Sequence, residues 1–530
     1  MLAIVSLCLP AAAQQFSLPV AGTMAANDYL RRGQFLEGER RWGEAVAHYE
    51  EAIRQFPADS SLKERFDFAR QHYDVARRYA DRSFRDALAR LSCNATLDLY
   101  GEVLLKIHAH YVEAPRWRDL VDCGTRALDV ALTEPAFLEA NLPTIDAQAL
   151  ADFREALGRL LAARPIVSRA DVRDAVAAAA ALARQRIGVA PGAVAMEYLC
   201  GAANSLDPYS TFLTPDQLAE VYSQIKGNFV GLGVELKAQE GSLLIVRVIP
   251  NSPAKRSGLR EGDRIVSIDG RVTRDLSTDR AANLLQGESG TTADLVIERP
   301  ESQPQRIVVR RERVEVPGVD DARILDQPRH VAYLKLSCFQ ETTARDVEDA
   351  LWTLHRAGMR SLIIDLRANP GGLLVSAVEV ADLFLDRGVI VATHGRNAYE
   401  DFTYSAREQG TWRVPLVVLI DQDSASAAEI FAGAIRDHQR GTIVGQRSFG
   451  KGSVQGIFPL TVGSAGLRLT TAKFFSPTGK PYSGVGVEPH VVVRQAAKPI
   501  AGSTGSVPTP ENDPMLAAAL QAATQLIVQR

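Results

Sequence analysis

From about residue 26 to residue 194 the apolar residues recur every three or four positions, and proline or aspartate separates one such run from the next. This spacing places the apolar side chains along one face of a helix. Alternation of single apolar and polar residues, which is typical of strands, is scarce here. The pattern predicts helical regions over 15–95 and over 96–226.

One stretch of the first helical region resembles a single tetratricopeptide unit. Residues 41–45 read RWGEA, and Tyr49, Ala52 and Pro57 follow at the spacing at which two antiparallel helices interlock. One copy is evident, and such repeats need about three units to bury a core. A plain helical bundle is the favoured interpretation. A partner-binding solenoid, which would serve as an adaptor or a homo-oligomer contact, is the alternative.

At residue 227 the pattern changes to short β-branched runs of alternating polarity, separated by Gly, Pro and Asn-Ser turns. These runs predict strands over 243–248, 264–268 and 293–299, with one short helix over 278–285. The segment 227–319 is therefore expected to form a compact β-rich domain.

Strands and helices alternate across the next segment, 320–495. The pattern predicts strands at 331–337, 361–366, 415–420 and 441–446, and helices at 343–357, 374–384 and 425–437. Such alternation is typical of an α/β layer with a largely parallel sheet. Residues 496–514 are rich in Pro, Gly, Ser and Thr and are expected to form a flexible linker. Residues 515–530 are expected to form a C-terminal helix.

Composition and charge narrow the class of protein. A chain of 530 residues is expected to fold as about three or four domains, and 46% hydrophobic with 23% charged residues is typical of a soluble globular protein. The 60 basic and 63 acidic residues leave a formal net charge of −3, which offers no electrostatic attraction for nucleic acid. No run reaches the ~18 apolar residues of a membrane span. We therefore expect neither a nucleic-acid partner nor a membrane-spanning segment.

The first residues resemble an export signal. Residues 2–13 read LAIVSLCLPAAA, a short apolar run that ends in small residues, so the segment 1–14 is interpreted as signal-like and the protein as exported, periplasmic or extracytoplasmic. The basic residues that usually precede such a run are missing. A buried N-terminal strand is the alternative.

The cysteines indicate no special chemistry. Five in 530 residues are too few and too scattered for a disulfide framework, and no pair has metal-ligand spacing. Cys93, Cys123, Cys200 and Cys338 are expected to be small buried apolar residues, with one disulfide bridge left open.

The usual motifs of hydrolases and nucleotide-binding proteins are missing or incomplete. The sequence has no HExxH, no G-x-S-x-G and no GDSGG. Residues 445–451, GQRSFGK, fit the first seven positions of a phosphate-binding loop, but Gly452 stands where the hydroxyl residue is needed and a strand-like run follows. We expect no nucleotide, metal or organic cofactor.

The strongest candidate chemistry lies in residues 423–429, DSASAAE, at a predicted strand-to-helix junction. A serine at such a junction has backbone amides beside it and a helix dipole that favours negative charge, as an acyl-transfer nucleophile requires. Because no histidine stands beside this serine in a recognisable motif, the candidate base is Lys451, as a buried neutral amine that Gln455 could orient. The structural alternative is that Ser426 and Glu429 form a capping box and that Lys451 is a solvated turn residue.

The same residues resemble the catalytic segments of the carboxyl-terminal processing proteases. Residues 419–441 and 448–455 match those segments, and residues 205–210 (SLDPYS), 365–372 (DLRANPGG) and 469–493 match three further elements of the family. The resemblance implies a multidomain α/β protein with a helical N-terminal region, a PDZ β-domain and a ClpP/crotonase-like α/β serine protease core.

The resemblance also implies roles for individual residues. Ser426 would be the nucleophile, Lys451 the general base and Gln455 the residue that orients the lysine. The oxyanion hole would use the amide of Ala427 and one amide from the turn Gly371-Gly372. Ser424 is the rival nucleophile.

Two residues depart from the family pattern. Asp423 stands where the family often has Gly, and its carboxylate would slightly disfavour the oxyanion. His490 stands where an Asp commonly follows the Pro.

The segment 227–319 then resembles the PDZ domain of the family. Its carboxylate-binding loop would be Gly231, Leu232, Gly233 and Val234, where successive amides can grip a chain terminus. The implied substrates are proteins or peptides with free C-termini. A structural hairpin core with a closed groove is the alternative interpretation of this domain.

The implied activity is that of a serine endopeptidase that cleaves near the C-terminal end. A catalytically inactive scaffold that binds protein C-termini through its PDZ domain and helical region is the alternative function, which intact Ser426, Lys451 and Gln455 disfavour. A carboxylic ester hydrolase would share the nucleophile but would have no use for a carboxylate-binding loop.

Overall fold

The computed structural model describes residues 3–5, 26–142, 146–239, 242–275, 284–299, 303–407, 410–493 and 509–528. Within residues 26–142 and 146–204, the described N-terminal part of the chain, there are ten helices, as the apolar spacing predicts. They are Ala26–Gly38, Trp42–Gln55, Ser60–Ala80, Arg82–Arg90, Cys93–His110, Trp117–Ala131, Pro135–Asn141, Ala147–Ala162, Arg169–Ile187 and Pro191–Asn204.

These helices have two apolar cores. The first three helices bury Trp42, Tyr49 and neighbouring residues in a small core of their own, and Gly33 lets Tyr49 approach the first helix closely. The later helices share a larger core with Leu467 and Leu469 from the C-terminal half of the chain. The helical region is therefore packed against the domain that carries the candidate chemistry.

Aspartate and serine residues cap the N-termini of several of these helices. Asp59, Asp81, Ser92, Asp146 and Ser168 each accept a hydrogen bond from a backbone amide in the first turn of the helix they precede. Such caps satisfy amides that have no partner within the helix, which fixes where each helix begins.

The β-rich domain begins after the strand β2 (Thr211–Leu213) and the helix Pro215–Lys226. Its strands are β3 (Asn228–Gly231), β4 (Val234–Gln239), β5 (Ser242–Val248), β6 (Arg264–Ile268), β7 (Arg271–Val272), β8 (Thr292–Glu298), β9 (Gln305–Arg310) and β10 (Glu312–Glu315), with the short helix Pro253–Arg256. Strands β4, β5, β6, β8 and β9 form one antiparallel sheet, and β3 pairs with β10. The predicted helix 278–285 lies mostly outside the described residues.

The central sheet of the next domain is largely parallel, as predicted. Its order is β11 (Val319–Asp326), β12 (Val331–Leu336), β13 (Ser361–Asp365), β17 (Leu416–Ile420), β18 (Thr442–Gly445) and β21 (Val491–Val492), and only the edge strand β11 pairs antiparallel among these six described strands. The helices Thr343–Arg356, Leu374–Asp382 and Ala427–Asp437 pack on one face of this sheet.

A second, antiparallel sheet lies beyond these helices. Its path is β14 (Gly372–Leu373), β1 (Ala3–Val5), β19 (Ser453–Pro459), β20 (Gly466–Phe475), β15 (Val389–Gly395) and β16 (Phe402–Ser405), and β2 joins β20. Val454, Ala472 and Phe474 point into the core shared with the helices. Residues Ala3–Val5 of the signal-like segment form a strand, while residues 6–25, with Cys8, lie outside the described residues.

The C-terminal helix Pro514–Val528 covers the other face of the central sheet. Most of the predicted linker lies outside the described residues. In the described part of the chain no helix is long and apolar enough to span a membrane. The four described cysteines are free; Cys200 is buried, and Cys93, Cys123 and Cys338 are half-buried rather than fully buried as predicted.

Candidate active site

Ser426 stands at a strained junction between the strand β17 and the helix Ala427–Asp437. Its backbone has φ 65° and ψ −114°, a conformation that non-glycine residues rarely adopt and that costs about 1–3 kcal/mol. The side chain is fully buried, and among the described residues its Oγ has no hydrogen-bond partner. A hydroxyl held this way, beside the first amides of a helix, is suited to attack, while the backbone N–H of Ser426 donates to Glu429 as in the capping box that the sequence allowed.

Glu429 joins this junction to the loop that carries Lys451. One carboxylate oxygen accepts hydrogen bonds from the backbone N–H of Ser426 (2.7 Å) and of Lys451 (2.8 Å). The other oxygen accepts from the N–H of Gly450 (2.7 Å) and the hydroxyl of Ser448 (2.5 Å). Burial raises the pKa of Glu429, and the four hydrogen bonds oppose that shift by favouring the charged form. The backbones of Ser426 and Lys451 are therefore held around a single oxygen atom.

Lys451 is a buried lysine rather than a solvated turn residue. Its side chain is 1% exposed, and Gly450 and Gly452 flank it where added side chains would collide with residues 483–485. Its Nζ lies 3.8 Å from the ring centroid of Tyr209. The SLDPYS motif, which the sequence placed only ahead of the PDZ domain, thus reaches the candidate base.

Gln455 is fully buried and is connected to the same motif. Its Nε2 donates to the hydroxyls of Ser453 (2.9 Å) and Thr470 (3.2 Å). Thr470 in turn donates to Asp207, which also accepts from the N–H of Tyr209. Gln455 therefore belongs to a polar network that fixes the position of Tyr209.

The turn at Gly371-Gly372 packs directly on the candidate nucleophile. A side chain at Gly371 would meet the Cβ of Ser426 at 2.7 Å and the nitrogen of Ala427 at 3.0 Å, so only glycine fits there. The amide of Gly371 donates to the side chain of Asn369 (2.9 Å), and the carbonyl of Asn369 accepts from Ala425 (3.0 Å). With the Gly371 amide so engaged, the turn would offer the amide of Gly372 to an oxyanion.

Ser424, the rival nucleophile, has a structural role. Its hydroxyl has two acceptors within reach of its one proton, the carbonyl of Leu366 (2.8 Å) and Oδ1 of Asp421 (3.0 Å), and it accepts from the N–H of Asp421 (2.9 Å); its side chain is buried. A hydroxyl with two such acceptors is poorly placed to attack a substrate.

The two departures from the family pattern have local partners. Asp423 lies 3.4 Å from the guanidinium of Arg54, a residue of the helix Trp42–Gln55. The positive charge of Arg54 offsets the negative charge of Asp423. His490 accepts a hydrogen bond from the N–H of Ile443 through Nδ1 and joins β18 to the segment before β21. Neither residue displaces Ser426, Lys451 or Gln455.

The predicted carboxylate-binding loop lies at the start of the β-rich domain. Gly231 ends β3, Leu232 is buried in the core of this domain, and Gly233 has φ 85° before Val234 begins β4. The carbonyls of Leu232 and Gly233 accept from Ala254 and Ile249, which fixes the shape of the loop.

The sequence did not reveal the roles that Glu429, Tyr209 and Asn369 have in this site. The S-x-x-E spacing identified Glu429 only as a cap, and Tyr209 lies 242 positions before Lys451, beyond any local signal. Among the described residues no three His, Cys, Asp or Glu side chains converge as a metal site.

Comparison with known proteins identifies a family for the β-rich domain and for the α/β domain that follows it. Residues 330–493 match peptidase family S41, and residues 244–299 match the PDZ domain. The carboxy-terminal-processing protease of Bartonella bacilliformis is 37% identical over 301 residues, which cover 56% of this chain and 68% of the relative. The carboxyl-terminal-processing protease of Picosynechococcus sp. is 35% identical over 292 residues, or 54% of this chain and 70% of the relative.

Among solved structures, one alignment covers most of the chain. The photosystem II D1 C-terminal processing protease aligns with a TM-score of 0.41 and 24% identity, and the alignment covers 82% of this chain and 97% of that chain.

Proposed function

Because this chain belongs to the family of carboxyl-terminal-processing proteases, we propose that it binds the free C-terminal end of protein substrates and cleaves near that end with Ser426 and Lys451. The chain is a serine peptidase that carries a PDZ domain. The observation that supports the dyad most directly is the shared oxygen of Glu429, which accepts from both Ser426 and Lys451.

In the proposed reaction the neutral amine of Lys451 takes the proton of the Ser426 hydroxyl as Oγ bonds to the scissile carbonyl carbon. The amides of Ala427 and Gly372 would stabilise the oxyanion, and being backbone groups they need no reorganisation. The C–N bond then breaks as the ammonium returns its proton to the leaving amine. Water, deprotonated by the same amine, hydrolyses the acyl-enzyme. Gln455 would orient Lys451 throughout.

The pairing of the first described strand supports the binding of an extended substrate beside these residues. Ala3–Val5 lies as a strand between β14 and β19, with Val5 opposite Gly372 and Ile4 opposite Gln455. A peptide in the same place would pair with the strand after the oxyanion turn on one side and with the strand of Gln455 on the other. Such pairing holds any sequence through its main chain.

Recognition of the chain terminus is proposed for Gly231, Leu232, Gly233 and Val234. Successive backbone amides in such a loop suit a carboxylate, and the exposed edge of β4 beside it suits an added strand. These residues lie apart in sequence from the dyad, so binding and cleavage can be tested separately.

We predict that amidation of a substrate's C-terminus weakens cleavage through KM. Matched unfolded peptides, one with a free carboxylate and one amidated, are compared for hydrolysis by the full chain, and the amide is expected to raise KM about tenfold or more while kcat changes little. A short reporter peptide that reaches only the strands β14 and β19 is the control, because its amidation should have little effect. Equal KM values for the two long peptides would contradict C-terminal recognition.

We place the working enzyme outside the cytoplasm. The apolar run at residues 2–13 and its small-residue end support export. The N-terminal sequence of the mature protein from its own host tests this, since an intact Met1 would contradict removal of the segment.

A further inference from the structure

The C-terminal helix Pro514–Val528 lies outside the segment that matches peptidase family S41, yet it is packed into that domain. Met515, Leu516, Ala519 and Ala523 are buried on the central sheet. The sheet contributes Val331, Tyr333, Ile363, Val417, Leu419 and Val444 to this contact. The apolar face of the helix therefore has a defined partner within the chain.

Asp513 begins this helix and has two roles at once. Its Oδ1 accepts from the N–H of Leu516 (3.0 Å), which caps the helix. The same carboxylate contacts the guanidinium of Arg367, with Nη1 2.9 Å from Oδ1 and 2.7 Å from Oδ2. Both side chains are largely buried, at 15% and 13% exposure, so this ion pair is little screened by solvent.

Arg367 stands at the entrance to the turn that packs on Ser426. Asp365 holds the other edge of its guanidinium through Nε and Nη2, at 2.7–3.1 Å, so the arginine lies between two carboxylates. The next residue, Ala368, has φ 57° and donates its amide to Asp421 (3.0 Å). The chain then runs through Asn369 to Gly371 and Gly372.

The backbone from Arg367 to Gly372 therefore has few ways to move independently. Asn369 donates to the carbonyl of Leu336 (3.0 Å), accepts from Gly371, and accepts at its own carbonyl from Ala425. We expect a shift of Arg367 to be passed along this backbone to the turn that packs on Ser426. An error of about 1 Å at such amides is enough to cost much of their effect on the transition state.

We propose that Asp513 is a positioning residue for catalysis, and that the C-terminal helix completes the active site by fixing Arg367 and, through it, the Gly371-Gly372 turn. The proposal rests on the function proposed above, because it assigns the turn to the oxyanion. Asp513 itself touches neither substrate nor reacting atoms.

Asp513→Asn tests this role, because asparagine caps a helix about as well as aspartate but cannot form the ion pair with Arg367. In the full chain we expect kcat to fall about tenfold with KM within twofold of wild type. A peptide boronate that mimics the tetrahedral intermediate should lose affinity by a similar factor. Asp513→Glu should restore part of the loss. Glu511→Gln, an exposed neighbour that changes the charge equally, is the matched control and should behave as wild type.

Hydrogen exchange of the peptide 366–373 gives a readout that does not depend on activity. Faster exchange there in Asp513→Asn than in Glu511→Gln supports the coupling even if Ser426 is not the nucleophile. Suppose that hydrolysis requires Ser426, but Asp513→Asn has the wild-type kcat and unchanged exchange. This result would overturn the inference about Asp513 and leave the proposed function standing. A loss confined to KM, or an equal loss in Glu511→Gln, would overturn it as well.

Discussion

Ser426→Ala is expected to abolish peptide hydrolysis, with kcat reduced at least about 10⁴-fold, because the hydroxyl that forms the acyl-enzyme is removed. The fold should survive, since Ser426 Oγ has no hydrogen-bond partner among the described residues. Alanine and serine tolerate the strained backbone about equally poorly. The temperature of thermal unfolding should therefore change little. Hydrolysis of an unfolded protein substrate by purified protein, followed by mass spectrometry of the products, measures the loss.

Ser424→Ala is the matched control for this prediction. It removes a neighbouring hydroxyl that donates to Leu366 or Asp421 and accepts from the N–H of Asp421, so it is expected to cost about 1 kcal/mol of stability and to leave most of the activity. Full activity in Ser426→Ala, or total loss only in Ser424→Ala, would show that the nucleophile has been misassigned.

Glu429→Gln is expected to have the second largest effect, on stability and activity together. The carboxylate accepts four hydrogen bonds, whereas glutamine offers one acceptor oxygen and turns an NH₂ group toward N–H donors. We expect the free energy of unfolding to fall by about 2–4 kcal/mol and kcat/KM to fall about 100-fold, because Ser426 and Lys451 lose their shared anchor.

Denaturant unfolding and peptide hydrolysis of the same preparation measure both effects of Glu429→Gln. Glu379→Gln, an exposed residue on the helix Leu374–Asp382, makes the same chemical change away from the site and should leave both quantities near wild type. If Glu429→Gln retained wild-type kcat/KM, the anchoring role of Glu429 would be wrong.

Helices and strands in which apolar and polar residues recur at a regular spacing could be predicted well from the sequence. The strands β12, β13, β17 and β18 and the helices between them lie within a few residues of their expected positions, because each is a buried run bounded by clear turn residues. The strand-to-helix junction at Ser426 was predicted for the same reason. Its left-handed backbone was not, since nothing local distinguishes a strained serine from a capping one.

Contacts between distant segments could not be predicted this way. Tyr209 meets Lys451, and Asp513 meets Arg367 across 146 positions, through packing that no short pattern encodes. The antiparallel sheet that brings β2 and β15 beside β20 was likewise unforeseen, because these three strands come from separate parts of the chain. For Lys451 the sequence allowed either a solvated turn residue or a buried base. Lys451 is buried because residues from distant parts of the chain pack around it.

The central claim is that Lys451 activates Ser426, and acylation of Ser426 by a small fluorophosphonate measures this without any substrate. Wild type and Lys451→Met, which keeps the length of the side chain but removes the amine, are treated at several pH values, and tandem mass spectrometry locates the adduct within residues 414–436. We predict an adduct on Ser426 in wild type that grows with pH, and labelling at least about 100-fold slower in Lys451→Met. Equally fast labelling of Ser426 in Lys451→Met would contradict the account.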